Sequence, residues 1–256
     1  MCPGAGESTK SGGARPPLGS RARDAILECI VDRPHPRGSR LVEREVAEEL
    51  RMSRVPVREA LRSLVTEGLL ELLPHNGVRV RRPARADVEH LYEVWEPLAV
   101  QGSRLATRRV ARDARDAPRK PEGLGALRGT LDVAERAAAA GEGAREVAAH
   151  TAFHEGIATL SGNPLPARTM EQLGSQLQLL FGLREEPAHL RAQHAVIFRH
   201  IVAGGEETAA ASTQVHVRDS RSVALRSLCG DEGDDIRVAA TKTPVCIPAS
   251  IGSLFG

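Results

Sequence analysis

Residues 53–70, SRVPVREALRSLVTEGLL, decide the fold. Read as a helix, the segment sets Arg54, Arg58 and Arg62 four residues apart. At about 100° per residue, steps of four keep them on one slowly drifting face. Val57, Leu61, Leu64 and Val65 fall on the opposite face at core spacing. Ser53 stands where a side chain caps the first turn, and Pro56 is early enough to break no intrahelical hydrogen bond. A short helix with an apolar back and a guanidinium front suits insertion into a DNA major groove. Taken alone, the same helix could equally be a solvated arginine face.

The flanks favour the groove. Leu41–Leu50 (LVEREVAEEL) reads as a short amphipathic helix with Leu41, Val46, Ala47 and Leu50 apolar, and Arg51-Met52-Ser53 as a tight turn. Ser20–Val31 reads as an earlier helix, with Ile26, Leu27 and Ile30 inward. Leu70–Leu73 and Val78–Arg82 read as two strands joined through Pro74-His75-Asn76-Gly77, where Asn-Gly tolerates the positive φ of a hairpin. Three helices and a hairpin over residues 18–82 make a winged helix-turn-helix. The hairpin is the wing, carrying His75, Arg79, Arg81 and Arg82 toward phosphates.

Composition narrows the partners. The 256 residues suffice for two modest domains. A net charge of +2 excludes a polycation, so nucleic-acid binding has to come from a local patch. No apolar run reaches transmembrane length, and residues 1–17 read as a disordered arm lacking the apolar core of a secretory signal. Cys2, Cys29, Cys229 and Cys246 have no ligand spacing, which fits isolated thiols in a reducing cytoplasm. Aromatic residues are 2% of the chain, too few for a single-strand stacking surface.

Beyond Pro83 the chain turns alanine-, leucine-, arginine- and glutamate-rich. Breakers cut residues 83–230 into six expected helices, near 86–110, 122–140, 144–161, 165–184, 188–203 and 206–228, an antiparallel all-α bundle. Residues 231–256 read as a flexible tail. The overall expectation is a mainly α protein.

Histidines carry the second chemical signal. His150 and His154 share a helix face. His194 lies ten residues before Gly204 and His216 eleven after Gly205. In an antiparallel hairpin both sit about 15 Å from the turn, at matched height. Imidazoles in this number favour zinc, nickel, cobalt or copper over magnesium. His189 and His200 are rotated away from His194 on the same helix. A hydrolytic metal site also needs a general base, and Glu155, beside His154, points about 100° away.

Residues 18–82 closely resemble the DNA-binding domain of the GntR family of bacterial transcription regulators, through GSRLVEREVAEEL, MSRVPVREALRSLVTEGLLE and HNGVRV. The resemblance implies that Arg44, Arg54 and Arg58 contact DNA and that Gly77 enters the minor groove. Val55 stands where many members carry a threonine. The DNA-facing candidates are therefore Arg44, Ser53, Arg54, Arg58, Arg62, His75, Asn76, Gly77 and Arg79.

HTAFHEGIATLSGNPLP, at residues 150–166, with the His194–His216 spacing, is similar to the FCD effector domain of FadR-type members. Many of these bind a divalent metal through an aspartate and three histidines. His154, His194 and His216 match the histidines, and the aspartate position falls on His150. Four nitrogen donors imply zinc or nickel, in a site one negative charge poorer. A family pattern like VRxxLE meets Val94-Trp95-Glu96-Pro97-Leu98-Ala99 here. Pro97 is expected to kink or interrupt that helix, and Trp95 is either core or an apolar wall of the effector cavity.

The resemblance implies a dimeric cytoplasmic regulator, acting as a repressor on an inverted-repeat operator and answering to a small carboxylate bound near a metal. A regulator with a decayed effector site and a metal-dependent enzyme are the alternatives.

Overall fold

The computed structural model describes residues 17–32, 40–74, 77–116, 123–181 and 188–229. The expected arm to residue 16, wing residues His75 and Asn76, and tail 231–256 lie outside them.

The first module starts with α1 (Leu18–Asp32). A two-residue strand β1 (Arg40–Leu41), helix α2 (Glu43–Glu49) and helix α3 (Arg54–Thr66) follow. The hairpin is β2 (Leu70–Leu72) and β3 (Val78–Val80). The 3.6-residue helical period sets Val57, Ala60, Leu61 and Leu64 of α3 inward, each at most 6% exposed. They meet Ala22, Ile26 and Ile30 of α1. Burying a Val or Leu side chain contributes about 1.5–3 kcal/mol, which outweighs the marginal helix-forming tendency of a 13-residue segment.

Three features differ from the sequence reading. The sheet has three strands, in order β1-β3-β2, all antiparallel, with Leu41 opposite Val78 and Leu70 opposite Val80. Leu41, read as the start of a helix, lies in β1, where its side chain is buried against the wing. Ser53 occupies the N-cap position of α3 in extended backbone, but its hydroxyl makes no capping hydrogen bond. An N-cap side chain bonds the second or third helical N–H, and Pro56 at the third removes one of those two partners.

The turn between α2 and α3 carries backbone strain. Arg51 N–H donates to the Glu48 carbonyl at 3.3 Å and Met52 N–H to the Ala47 carbonyl at 3.0 Å. This is the left-handed helix-ending motif, and it puts Arg51 at φ 51°, among the described residues the single non-glycine with positive φ. The same motif closes α3, where Gly68 takes the position at φ 77°.

The second module is helical: α4 (Arg85–Asp116), α5 (Leu124–Ala140), α6 (Gly143–Leu160), α7 (Pro164–Phe181), α8 (Ala188–Val202) and α9 (Glu206–Cys229). Helix α4 runs uninterrupted through Pro97 and past the expected end at 110. Proline removes one helical hydrogen bond, and packing against α9, α6, α7 and α8 holds the helix across that gap. No described helix is long and apolar enough to cross a membrane.

The two modules share one core. Buried side chains continue from Leu64, Leu69 and Val80 into Val88, Leu91, Tyr92 and Trp95 of α4 and Met170 and Leu177 of α7. A polar seam closes the same junction. Arg23 of α1 donates to both oxygens of Glu67 at 2.9 and 2.7 Å and also to the Ser175 hydroxyl of α7. Gln176 Nε2 donates to the Glu67 carbonyl at 2.9 Å. Burial pushes the Glu67 carboxyl up, and the hydrogen bonds from Arg23, Ser175 and Ser63 outweigh it, leaving the group below its ordinary range.

Relaxing the strained turn should stabilise the protein. Arg51→Gly removes a left-handed penalty of about 1–2 kcal/mol and adds about 0.5–1 kcal/mol of unfolded-chain entropy. The expected net gain is about 0.5–1 kcal/mol, a rise in Tm of about 1–4 °C by thermal melting. A lowered Tm would mean that the arginine side chain contributes more than its backbone costs.

Candidate functional site

Helix α3 presents Arg54, Val55, Arg58, Glu59, Arg62 and Thr66 to solvent. Val55 is 63% exposed, a bare apolar side chain among guanidinium groups. Arg58 does not float free. Its Nε and Nη2 donate to the two carboxylate oxygens of Glu43, on α2, at 2.8 and 2.7 Å. Those bonds raise the Arg58 pKa and lower that of Glu43. Arg44 lies 3.8 Å from Glu48 on the same outer surface, and Arg79 of the wing bonds Glu71 across the hairpin at 2.7 Å. Arg81 turns back to Asp87 of α4 at 2.8 Å. Gly77 has φ 132°, and a Cβ there would come within 3.1 Å of both Arg40 Nε and the Leu41 carbonyl. Passage of β1 alongside the wing therefore demands glycine at this position.

The histidines lie at the centre of the bundle. His150 and His154 come from α6, His194 from α8 and His216 from α9; all four are at most 4% exposed. One ring nitrogen from each lies within 4.8 Å of the others. His216 Nε2 is 3.2 Å from His154 Nε2 and 3.0 Å from His194 Nε2. His200 bonds the Ser212 hydroxyl instead. His189 is likewise outside the group.

These spacings fit a shared cation. At a zinc–nitrogen bond of about 2.0–2.1 Å, neighbouring ligand nitrogens stand about 3.3–3.4 Å apart around a tetrahedron and about 2.9 Å at right angles. The observed 3.0 and 3.2 Å lie between. A neutral imidazole nitrogen has one lone pair, which a single donor satisfies, yet two imidazoles approach the same Nε2. Three of the residues stand at ligand spacing, and His150, its ring nitrogen within 4.8 Å of theirs, is the fourth donor the cluster offers one ion.

The surroundings are apolar. Phe181 packs on His150 with ring centroids 4.1 Å apart, Phe153 on His194 at 4.5 Å, and Trp95 edge-on to His154 at 5.0 Å. Trp95 is fully buried, so it is core, and it also walls the histidine cluster. Its indole Nε1 has no hydrogen-bond partner among the described residues. One turn away, Arg191 of α8 pairs with Glu146 of α6 at 2.6 Å. Glu155 turns to α7, where a Cβ on Gly174 would meet its Oε1 at 2.7 Å; burial and the nearby Glu171 raise its pKa.

Two residues escaped the sequence reading. Gln193 Oε1 lies 3.1 Å from His216 Nδ1, and Gln193 Nε2 donates to Asp219 Oδ2 at 2.7 Å. Their only signal is position, one residue before His194 and three after His216. A cleft of about 1240 Å³ opens between α1 and α6–α7 beside Arg23, Glu67 and Glu155. None of the four histidines lines it. Convergent donor atoms define a metal site better than cleft size, so the candidate centre is the histidine cluster.

Comparison with known proteins places residues 18–80 in the family described as bacterial regulatory proteins, gntR family, and residues 90–219 in the FCD domain. The chain is 28% identical over 206 residues to a probable D-xylose utilization operon transcriptional repressor of Paenarthrobacter nicotinovorans, covering 79% of this chain and 87% of the relative. It is 32% identical over 194 residues to an uncharacterized HTH-type transcriptional regulator in an unstable DNA locus of Streptomyces ambofaciens, covering 71% and 74%. Among solved structures, E. coli McbR/YncC superposes with a TM-score of 0.68 at 19% identity, over 83% of this chain and 99% of that one. A putative GntR regulator from Rhodococcus sp. RHA1 gives 0.65 at 23% identity, over 82% and 96%. At those identities the structures show the fold alone.

Burial dictates a pH dependence. Desolvation first, then the neighbouring His150, holds His154 neutral well below the ordinary imidazole value of 6.5. Desolvation, then His216, His150 and His154, does the same to His194. In the unfolded chain both accept protons near 6.5. The stability they confer is therefore complete above that value and is lost as pH falls beneath it, by about 1.4 kcal/mol per pH unit for each histidine that charges on unfolding. Chelator-treated protein should show a falling Tm between about pH 7 and about pH 5, and His194→Gln should flatten the slope. A Tm that is level through this window would contradict neutral burial.

Proposed function

This chain belongs to the gntR family of bacterial regulatory proteins, with an FCD domain behind its helix-turn-helix, and on that premise we propose a metal-containing, effector-controlled repressor. It is a DNA-binding transcription regulator and not an enzyme. The further reading is that it works as a homodimer on an inverted-repeat operator. What carries this reading is the outward guanidinium face of α3, flanked by the wing. Two such helices related by a two-fold axis fit successive major grooves. Arg54 and Arg58 reach guanine edges or phosphates from the N-terminal half of the helix, with Arg62 further along it. Arg44 and Arg79 anchor phosphates, which fixes register without reading sequence. The Ser53 hydroxyl, with no capping bond to make, is available to a phosphate, and Gly77 lets the wing backbone approach the minor groove. The wing tip, with His75 and Asn76, completes the interface in this proposal.

Glu43 holds Arg58 in a bidentate fork before DNA arrives. Water screens an exposed pair of this kind, so exchanging the carboxylate for a base edge or phosphate costs little. The fork limits the conformational freedom that Arg58 loses on binding.

His150, His154, His194 and His216 hold one zinc or nickel ion in this reading. A bound divalent ion supplies positive charge that attracts a small carboxylate effector. The aromatic walls, Trp95 included, exclude water and strengthen that attraction. Effector binding then biases the two DNA-binding modules between orientations, provided its affinity differs between them. The Paenarthrobacter relative is named a probable repressor, and repression by blocking promoter access is the proposed outcome.

Selection from a random duplex library should return an inverted repeat. Arg58→Ala should weaken binding to that duplex about 10–100-fold, and Arg44→Ala should reduce the salt slope by about one. Arg58→Ala protein that binds as tightly and selectively as wild type would sink the helix assignment. Elemental analysis of tag-free protein should find about one ion per chain. Less than about a tenth of that, with no gain in Tm on adding zinc or nickel, supports the reading of a decayed site.

A further inference from the structure

We propose that Asp219, acting through Gln193, fixes the tautomer of His216 so that its Nε2 lone pair faces the other three imidazoles, making Asp219 and Gln193 positioning residues for the ion. The inference rests on the metal reading above.

Donor and acceptor types fix each link of one hydrogen-bonded chain. A carboxylate oxygen accepts and cannot donate. Asp219 Oδ2, 2.7 Å from the Gln193 side chain, therefore selects the amide nitrogen. The amide oxygen is left facing His216 Nδ1 at 3.1 Å. Two acceptors cannot bond, so Nδ1 carries a proton. An imidazole that ligates a metal is the neutral ring, which carries a single proton. Its Nε2 therefore carries no proton, and Nε2 is the atom set 3.2 Å from His154 and 3.0 Å from His194. Without the relay either nitrogen could hold the proton.

The relay also compensates for the change at His150. Four imidazoles give a donor set with no anion. Asp219 supplies a carboxylate one hydrogen-bonded step outside it, where it increases the electron density that His216 offers a cation. Charge that an aspartate would contribute by direct ligation is here delivered through an amide.

Asp219→Asn tests this with almost no change of shape. Asparagine can present either its oxygen or its nitrogen to the Gln193 amide, so the amide is no longer obliged to turn its oxygen onto His216 Nδ1 and the ring proton is no longer fixed on that atom. Long-range proton–nitrogen NMR of metal-free, histidine-labelled protein should show His216 protonated at Nδ1 in the wild type and divided between Nδ1 and Nε2 in Asp219→Asn. Zinc affinity, measured by competition with a chromophoric chelator, should fall about 10–100-fold. Gln193→Leu should lose affinity to a similar extent, and Asp219→Glu, which keeps the acceptor, should restore both the tautomer and the affinity. An unchanged tautomer, or zinc affinity within about two-fold of wild type, in both Asp219→Asn and Gln193→Leu overturns the relay. Wild-type protein that takes up neither zinc nor nickel overturns the metal reading alone, and the tautomer measurement still decides the relay.

Discussion

The buried indole of Trp95 is the contact on which both halves of the molecule lean. It sits in the core that runs from the DNA-binding module into the bundle, 5.0 Å from Tyr92 and 5.7 Å from Phe181 by ring centroids. Its other side meets His154. The chain has six Phe, Trp and Tyr residues in all, and Trp95, Phe153 and Phe181 touch the imidazoles. Concentrating a scarce resource in this way makes a dry enclosure. Burial there penalises an imidazolium, which holds His154 and His194 neutral and leaves their lone pairs to be arranged by hydrogen bonding or shared with a cation.

The outer surface follows the opposite logic. Arg44, Arg58 and Arg79 each stand beside a glutamate, all well exposed to water. Such pairs are weak and readily exchanged, which suits side chains whose proposed partners are phosphates and base edges. The strong polar contacts are instead placed where the modules join, at Arg23, Glu67 and Ser175, with less water to compete.

Much of this was legible in the sequence because it was periodic. Helix α3 and the flanking hairpin announced themselves through 3.6- and 2-residue spacing and through Asn76-Gly77. The histidines did so through the four-residue step on α6 and equal distances from the Gly204-Gly205 turn. What was not legible depended on partners far along the chain. Two residues, Arg40 and Leu41, form a strand only because β3 is there to pair with them. Pro97 argued for a broken helix, and lateral packing overrode the local cost. Ser53 looked like a cap, but the missing N–H was three residues on. Gln193 and Asp219 carry no pattern of their own, and their role exists only once α8 and α9 lie side by side.

The seam at Glu67 grips the recognition helix at one extremity only. Arg23, Ser175 and Gln176 hold its carboxyl end to α1 and α7, while the guanidinium groups proposed to read sequence lie at the far end. Thirteen residues at 1.5 Å each separate Glu67 from Arg54, roughly 20 Å. The helix is therefore a lever with its fulcrum on the bundle: a tilt of about 5° at α7 sweeps Arg54 through about 1.7 Å, more than a hydrogen bond tolerates. Sub-ångström adjustments deep among the helices are magnified at the tip, so the proposed effector response needs neither a long-range wire nor a large domain swing.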